Sequence, residues 1–305
     1  MDTQDKQGAE HRVGLIIILI IIQILVKGIA QMKVTFNGTG ASEGFPALFC
    51  ECEHCKRVRT MDPINFRMRS SCLIDESLLV DFSSDTYARC LYGRLDLTKV
   101  KNIIFTHAHS DHFYPHDLSK IAPPFGLHDR QEPLRVYGNK DIGQALEDIG
   151  MTESDKTPYL KFGLFKAYET YLIDNYRITP LPANHDPKQD CFIYVIQKRD
   201  RTLLYGHDSG YFGEETWSGL KNFKFDGVIL DCTTVGQECS YFTHMGLPDN
   251  IRVRDRMYSE GTADAQTTFI ITHFAHSYGP YYDDLNNLAR ENGFIAAYDG
   301  FEITI

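Results

Sequence analysis

Short apolar runs alternate with polar, turn-rich stretches along most of the chain. The apolar runs predict strands near residues 33–37, 71–82, 102–106, 134–138, 176–180, 191–197, 201–206, 227–231, 268–272 and 294–304. Amphipathic stretches near 84–93, 140–150, 247–259 and 280–291 predict helices, and the last has leucines at positions 285 and 288, a spacing that suits a helix packed on a sheet. Strands interleaved with helices are typical of a layered α/β fold.

One apolar run, over residues 13–26, is too long for an ordinary strand. As a helix it would span about 21 Å, which is short of the ~30 Å hydrocarbon core of a membrane. Three interpretations stay open: the apolar part of a signal peptide cleaved near Ala30, a membrane anchor over residues 13–30, or a translation start at Met32. Because the candidate motifs lie between residues 36 and 276, we set residues 1–31 apart and assign residues 32–305 to one domain.

The overall composition is that of an ordinary globular protein with an acidic balance. Of 305 residues, 43% are hydrophobic and 24% are charged, and the net charge is −10. This charge argues against a nucleic-acid backbone as the main partner, since such a partner favours a basic surface. One basic run, which either grips a phosphate or forms a solvated face, contains Lys56, Arg57, Arg59, Arg67 and Arg69.

A dense group of candidate metal ligands follows the predicted strand at 102–106. His107, His109, Asp111 and His112 lie within six residues. Neutral imidazoles and carboxylates are common ligands of divalent metals, and a loop at the end of a buried strand can present them around an open coordination site. A polar surface turn is the alternative, but four potential ligands this close together favour a metal.

Three further candidates follow other predicted strands. His185, Asp208 and His273 each come after an apolar run, at the start of a polar loop. Alone, each would be an ordinary structural residue, but together with the first group they indicate a two-metal site. His207 competes with Asp208, and we favour Asp208 because a bridging position needs two oxygens on one carboxyl group.

A second metal site is predicted from the cysteines. Cys50, Cys52 and Cys55 form a C-x-C-x-x-C pattern that suits zinc. The fourth ligand could be His54, Cys72, Cys90 or His276, and we favour His276 because one loop would then carry it and His273. A reduced buried cluster or a disulfide is the alternative. Zinc-bound thiolates favour a reducing cytoplasm, with an exported or membrane-anchored form as the other option.

The pattern H-x-H-x-D-H at 107–112, followed by His185, Asp208 and His273 in this order, resembles the metallo-β-lactamase superfamily of hydrolases. The glycine-rich stretch 36–46 and the cysteine pattern after it resemble the PhnP-type phosphodiesterases, which open a ribosyl 1,2-cyclic phosphate. This resemblance implies a four-layer αββα sandwich with the site at one edge, between the sheets. The accessory protein PqqB shares the glycine-rich stretch and the cysteines, but its typical members lack a full ligand set.

The resemblance also implies roles for individual residues. One metal, zinc or manganese, would bind His107, His109 and His185, and the other Asp111, His112 and His273, with Asp208 as the bridge. Asp81 would orient ligands by hydrogen bonds, and a structural zinc would bind the three cysteines and His276. Asp111 and His244 would take part in catalysis. His244 would protonate the leaving oxygen, unless it is only a histidine at a helix N-terminus.

These observations predict a metal-dependent hydrolase over residues 32–305. The favoured activity is that of a phosphodiesterase on a small cyclic or nucleotide-like phosphate, through a hydroxide bound to two metals. A hydrolase of lactones, lactams or thioesters and a PqqB-like protein without enzymatic activity are the alternatives. The sequence leaves open the natural substrate, the choice between zinc and manganese, and the oligomeric state, with a homodimer as one option.

Overall fold

The computed structural model describes residues 31–92, 95–151, 159–237, 243–278 and 281–305, and two mixed sheets organise them. The first sheet has the order β14-β1-β2-β3-β4-β5-β6, where the strands are β1 (Lys33–Gly38), β2 (Ser71–Ile74), β3 (Leu78–Val80), β4 (Asn102–Ile104), β5 (Leu134–Gly138), β6 (Leu160–Leu164) and β14 (Glu302–Thr304). The second has the order β13-β12-β11-β10-β9-β8-β7, with β7 (Tyr171–Ile173), β8 (Tyr176–Pro182), β9 (Phe192–Lys198), β10 (Arg201–Gly206), β11 (Gly227–Asp231), β12 (Thr268–Thr272) and β13 (Ile295–Ala296).

The α-helices lie between these strands in the chain. They are α1 (Glu53–Val58), α2 (Thr86–Leu91), α3 (Pro115–Leu118), α4 (Lys140–Asp148), α5 (Glu214–Leu220), α6 (Leu247–Ser259) and α7 (Tyr282–Glu291). Two short 3₁₀ helices cover Pro63–Asn65 and Ser119–Ile121.

Three buried apolar clusters define four layers. The cluster between the sheets includes Phe36, Tyr194 and Ile270. The outer face of the first sheet packs against Ile142 and Leu146 of α4. The outer face of the second sheet packs against side chains of α5, α6 and α7, among them Trp217, Val253, Met257 and Leu285. The predicted αββα sandwich is therefore confirmed.

The strand directions bring several strand ends to one edge of the sandwich. β3 to β6 are parallel to one another, and so are β10 to β13. β8 also runs in the direction of β10, because both are antiparallel to β9. Loops that follow parallel strands meet at the same edge of a sheet, which is where α/β proteins commonly bind ligands.

Some predicted elements differ from those in the structure. The predicted strand at 71–82 is a hairpin of β2 and β3, and its turn places Asp75 and Glu76 at φ of 49° and 65°. The predicted strand at 294–304 is divided into β13 and β14, which belong to different sheets. The sequence did not predict α1, α3, α5, β6 or β7, which are short or lie within polar stretches.

The apolar run at 13–26 lies outside the described residues, so its three interpretations stay predictions. Within the described ranges, no helix combines the length and the apolar character needed to cross a membrane.

Candidate metal centre

The candidate ligands lie on loops that leave the strands at this edge. Asp81 follows β3, the stretch 107–112 follows β4, His185 follows β8, Asp208 follows β10 and His273 follows β12. Asp81, Asp208 and His273 have φ of 62°, 51° and 65°. This left-handed conformation is uncommon for residues other than glycine, and here it turns the backbone sharply at two candidate ligands and at the supporting residue Asp81.

The first group consists of His107, His109 and His185. Nδ1 of His109 lies 2.8 Å from Nε2 of His107 and 3.1 Å from Nε2 of His185. All three ring nitrogens lie within 4.8 Å of one another, which is compatible with one shared ion. Burial lowers the pKa of His107 and His185, which favours the neutral imidazole that binds metals.

The second group consists of Asp111, His112, His273 and Asp208. Nε2 of His112 lies 3.2 Å from Oδ2 of Asp111 and 3.0 Å from Oδ2 of Asp208. Nε2 of His273 lies 3.8 Å from the same oxygen of Asp208. All four side chains are buried.

Asp208 lies between the two groups. Its Oδ2 is also 3.4 Å from Nε2 of His107, so this carboxylate contacts both groups. Burial alone would raise the pKa of Asp208, but the surrounding imidazoles, with His273 foremost, hold it well below its usual range. The structure thus brings together every residue of the predicted two-metal ligand set, with Asp208 in the central position.

These residues fit divalent metal ions. Among the described residues, Nε2 of His112, Nε2 of His273 and Oδ1 of Asp208 are buried and lack a hydrogen bond of regular geometry, although imidazoles and carboxylates of the site lie close to them. Such atoms cost about 1–3 kcal/mol each when they stay unsatisfied. A divalent cation would satisfy all three, and imidazole nitrogen with carboxylate oxygen is a donor set that zinc and manganese accept.

The nitrogen that each imidazole does not offer to a metal also has a partner. Such partners fix the tautomer and the orientation of a metal-binding histidine. They are Thr106 Oγ1 for His107 (3.0 Å), Asp186 for His109 (3.1 Å), the carbonyl of Thr243 for His185 (3.2 Å), Asp81 for His112 (2.8 Å) and Asp231 for His273 (3.2 Å). Asp81, which the sequence analysis expected to orient ligands by hydrogen bonds, thus contacts His112.

His244 lies beside the second group and contacts a residue that sequence reasoning missed. Nδ1 of His244 is 3.1 Å from Oδ1 of Asp208 and 3.1 Å from Oδ2 of Asp231. Asp231 is fully buried and accepts hydrogen bonds from the backbone N–H groups of Thr233 and Met245, both at 2.9 Å. Its position at the end of β11, at the same edge as the ligands, was the signal that could have identified it.

The carboxylates around His244 favour its protonated form. Burial by itself would lower the pKa of His244, but Asp231 and Asp208 together raise it to about 11. An imidazolium at the edge of a metal centre can donate a proton.

His207 belongs to neither of the predicted groups. It is buried behind the second group, stacks on Tyr205 with ring centroids 5.2 Å apart, and neither ring nitrogen has a hydrogen-bond partner. Burial lowers the pKa of His207 well below its ordinary value. His207 and Asp208 were the two candidates for the bridging position, and Asp208 is the one that lies between the two groups.

The cysteine cluster also assembles. The sulfurs of Cys50, Cys52 and Cys55 and a ring nitrogen of His276 lie within 4.8 Å of one another. Nε2 of His276 is 3.5 Å from Sγ of Cys50, and Nδ1 donates to Oε1 of Glu43 at 2.8 Å. His276 is thus the fourth member of the cluster, and Glu43 is a second residue that sequence reasoning missed.

The other candidates for this cluster lie elsewhere. His54 approaches the hydroxyl of Tyr281, and Cys72 is buried between the sheets. Cys90 packs at the outer face of the first sheet. All cysteines within the described ranges are free thiols, so the disulfide alternative finds no support there.

Two residues of the basic run near the cysteine loop make contacts within the fold. Arg67 is buried with its guanidinium 5.1 Å from the ring centroids of both Phe45 and Phe274. Arg69 forms an ion pair with Asp85 at 2.8 Å. These two side chains stabilise the loops of the fold rather than extending into solvent.

Comparisons with known proteins agree with this fold. A family described as "Beta-lactamase superfamily domain" matches residues 76–274. Ribonuclease Z from Methanococcus aeolicus is 24% identical over 200 residues, which cover 63% of this chain and 55% of that protein. The chain thus spans little more than half the length of that relative.

Three solved structures share the fold over nearly the whole chain. A diphosphatase from the PhnP family has a TM-score of 0.68 and 19% identity, covering 90% of this chain and 97% of its own. YhfI from Bacillus subtilis has a TM-score of 0.65 and 22% identity, with coverage of 90% and 100%. Zinc-bound PqqB from Methylobacterium extorquens has a TM-score of 0.61 and 15% identity, with coverage of 89% and 99%. At these identities the likeness concerns the fold.

The fold and the histidine–aspartate clusters are those of a metallo-β-lactamase-fold protein. The match over residues 76–274 shows that the chain belongs to the beta-lactamase superfamily, and it is similar in sequence to ribonuclease Z and in fold to a PhnP-family diphosphatase.

Proposed function

We propose that this protein is a metal-dependent phosphodiesterase that acts on a small cyclic or nucleotide-like phosphodiester. In this proposal, His107, His109 and His185 hold one divalent ion, and Asp111, His112 and His273 hold another. Asp208 contacts both, and the cysteine cluster with His276 holds a structural zinc. Two bound divalent ions lower the pKa of water from ~16 to about 7 and stabilise charge that develops on a phosphoryl oxygen.

The observation that carries the choice of a phosphodiester is the pair of His244 and Asp231. The carboxylate of Asp231 faces Nδ1 of His244, which leaves Nε2 as the atom that can donate a proton. Cleavage of an unactivated phosphodiester expels an alkoxide, a poor leaving group, so a positioned acid contributes typically 10²–10⁴-fold. A thioester or an activated ester has much less need of such a group.

The charge of the chain supports a small substrate. The net charge is −10, and the basic run contributes Arg67 to a buried stack and Arg69 to an ion pair. A long nucleic acid would need a basic surface to neutralise several phosphates. The relative from Methanococcus aeolicus is a ribonuclease Z, which makes RNA the second candidate substrate, and this charge balance disfavours it.

The proposed cellular location rests on the thiols. Cys50, Cys52 and Cys55 are free and lie beside His276. A zinc site of this type suits a reducing compartment, so we expect a cytoplasmic enzyme.

The experiment compares wild-type protein, His244→Ala and His116→Ala, each loaded with zinc or manganese. His116 is exposed and meets the ring of Tyr114 edge-on, so it serves as a matched histidine control. The substrates are aryl phosphodiesters with leaving groups of increasing pKa, starting from bis(p-nitrophenyl) phosphate, together with a lactone and a thioester. We expect His244→Ala to lose roughly 10²–10⁴-fold in kcat on the poorest leaving groups and far less on p-nitrophenol esters.

The outcome also separates the competing functions. A wild-type protein that cleaves the lactone or the thioester but no phosphodiester would contradict the proposal in favour of the other hydrolase class. Metal analysis that finds one equivalent, bound at the cysteines, and no hydrolysis would favour a PqqB-like protein without enzymatic activity.

A further inference from the structure

We infer that Asp186 and Gln189 form a clip that positions His109 from the solvent side and strengthens binding of the first metal. Asp186 is a positioning residue in this inference, which rests on the first metal group of the proposed function. The starting observation is the orientation of the His109 ring. Its Nδ1 faces His107 and His185, so the metal side of the ring is Nδ1. Its outer nitrogen, Nε2, lies 3.1 Å from Oδ2 of Asp186.

The carboxylate of Asp186 is itself held in place. Its Oδ1 accepts the backbone N–H of Lys188 at 2.9 Å, and its Oδ2 accepts Nε2 of Gln189 at 3.2 Å. The amide oxygen of Gln189 accepts the backbone N–H of Ala108 at 2.8 Å. The clip therefore joins the loop after β8, which carries His185, to the loop after β4, which carries His107 and His109. All three first-group ligands lie on the two loops that it joins.

Asp186 differs from the other carboxylates that support ligand histidines. Asp81 and Asp231 are fully buried, whereas the side chains of Asp186 and His109 are 21% and 40% exposed. We therefore expect substitution at position 186 to leave the packed core intact, so that its effect on metal binding is measurable in the folded protein. A carboxylate that accepts the outer N–H of a ligand imidazole makes that ligand more basic, and losing such a partner typically costs 10–100-fold in metal affinity.

The test measures metal affinity of Asp186→Asn and Gln189→Ala by competition with a chromophoric chelator, using Zn²⁺ and Mn²⁺ separately. Asp190→Asn is the matched control, because Asp190 is an exposed carboxylate on the same loop. We expect Asp186→Asn to lower the affinity for one of the two active-site metal ions by about 10–100-fold. The affinity for the other active-site ion and for the cysteine-bound zinc should stay unchanged. Gln189→Ala should lower the affinity for the same ion by a smaller factor, and Asp190→Asn should match wild type.

Two further readouts keep the result interpretable. The melting temperature of the metal-free variants should equal that of metal-free wild type, and the visible absorption of Co²⁺ at the weakened site should change in Asp186→Asn. Wild-type affinity for both equivalents in Asp186→Asn would overturn the clip. Failure of wild type to bind two active-site equivalents would instead overturn the proposed function, so the two failures are distinguishable.

Discussion

At the scale of single residues, the candidate metal centre is organised by carboxylates that lie outside the two proposed ligand groups. Asp231 serves two histidines at once, since its Oδ2 lies 3.1 Å from His244 and 3.2 Å from His273. One of these histidines is a proposed ligand and the other a proposed proton donor. The buried carboxylate therefore couples the geometry of the second metal to the position of the acid.

The substitution Asp231→Asn tests this coupling. The amide keeps the size of the side chain but loses the charge and one acceptor, so both histidines lose part of their orientation. We expect kcat on poor leaving groups to fall by about 10²-fold or more, together with about 10–100-fold weaker binding of one metal. Asp226→Asn, just before the opposite end of β11, is the control, because Asp226 pairs with Arg201 away from the site. Full activity of Asp231→Asn on poor leaving groups would exclude a role in proton donation.

At the scale of elements, the loop after β12 connects both predicted metal sites. It carries His273 toward the active-site group and His276 toward the cysteines. Between them, the backbone N–H of Phe274 donates to the carbonyl of Thr39, and the carbonyl of Phe274 accepts from Ala41. The glycine-rich stretch before the cysteines is therefore hydrogen-bonded to the loop that presents a ligand.

This connection predicts the effect of Cys52→Ser. We expect the loss of the structural zinc, a lower melting temperature, and weaker binding of the metal that His273 holds, because zinc binding contributes directly to folding free energy. Metal content by mass spectrometry measures the loss or weaker binding of metal, and thermal unfolding by circular dichroism measures the melting temperature. Cys90→Ser, a free thiol outside the cluster, should leave the metal content unchanged. Unchanged binding of the active-site metals after zinc loss would contradict the link between the two sites.

The same elements show what the sequence could predict. The strand ends that carry ligands were located well, because apolar runs that stop at His or Asp are distinctive. The hairpin at 71–82 was read as one strand, since its turn residues Asp75 and Glu76 interrupt the apolar pattern only briefly. Strands β6 and β7 were missed because edge strands are half-exposed and have a weak pattern. Asp231 and Glu43 were missed because only the folded chain shows which histidine each one contacts.

At the scale of the whole molecule, the sandwich depends on a core that both sheets share. Ile270 of β12 is fully buried in the cluster between the sheets. Shortening such a side chain leaves a cavity that the packed layers cannot readily fill. We expect Ile270→Ala to reduce the free energy of unfolding by about 2–5 kcal/mol, as measured by urea denaturation. Leu172→Ala, at a position that is 77% exposed, should change it by less than about 0.5 kcal/mol.

Metal binding should also stabilise the molecule as a whole. The ligands come from loops after β4, β8, β10 and β12, so unfolding destroys the site and bound metal favours the native state. At a free metal concentration of 100 times Kd, each site would add about 2.7 kcal/mol. Thermal unfolding should therefore shift upward with added Zn²⁺ and downward with a chelator. A melting temperature that does not depend on metal would contradict binding at these loops.

At the ligand positions with left-handed turns, conformational stability and the chemistry of the site favour different residues. At positions 208 and 273, glycine would adopt the observed φ of 51° and 65° without steric cost, whereas the present side chains carry strain of order 1–3 kcal/mol each. A library selected only for thermal resistance, in medium stripped of metal, should accumulate glycine or asparagine at these two sites. The same library selected for growth on a phosphodiester should keep Asp208 and His273, so comparing the two populations would show how much of the conformation at this edge is retained for chemistry.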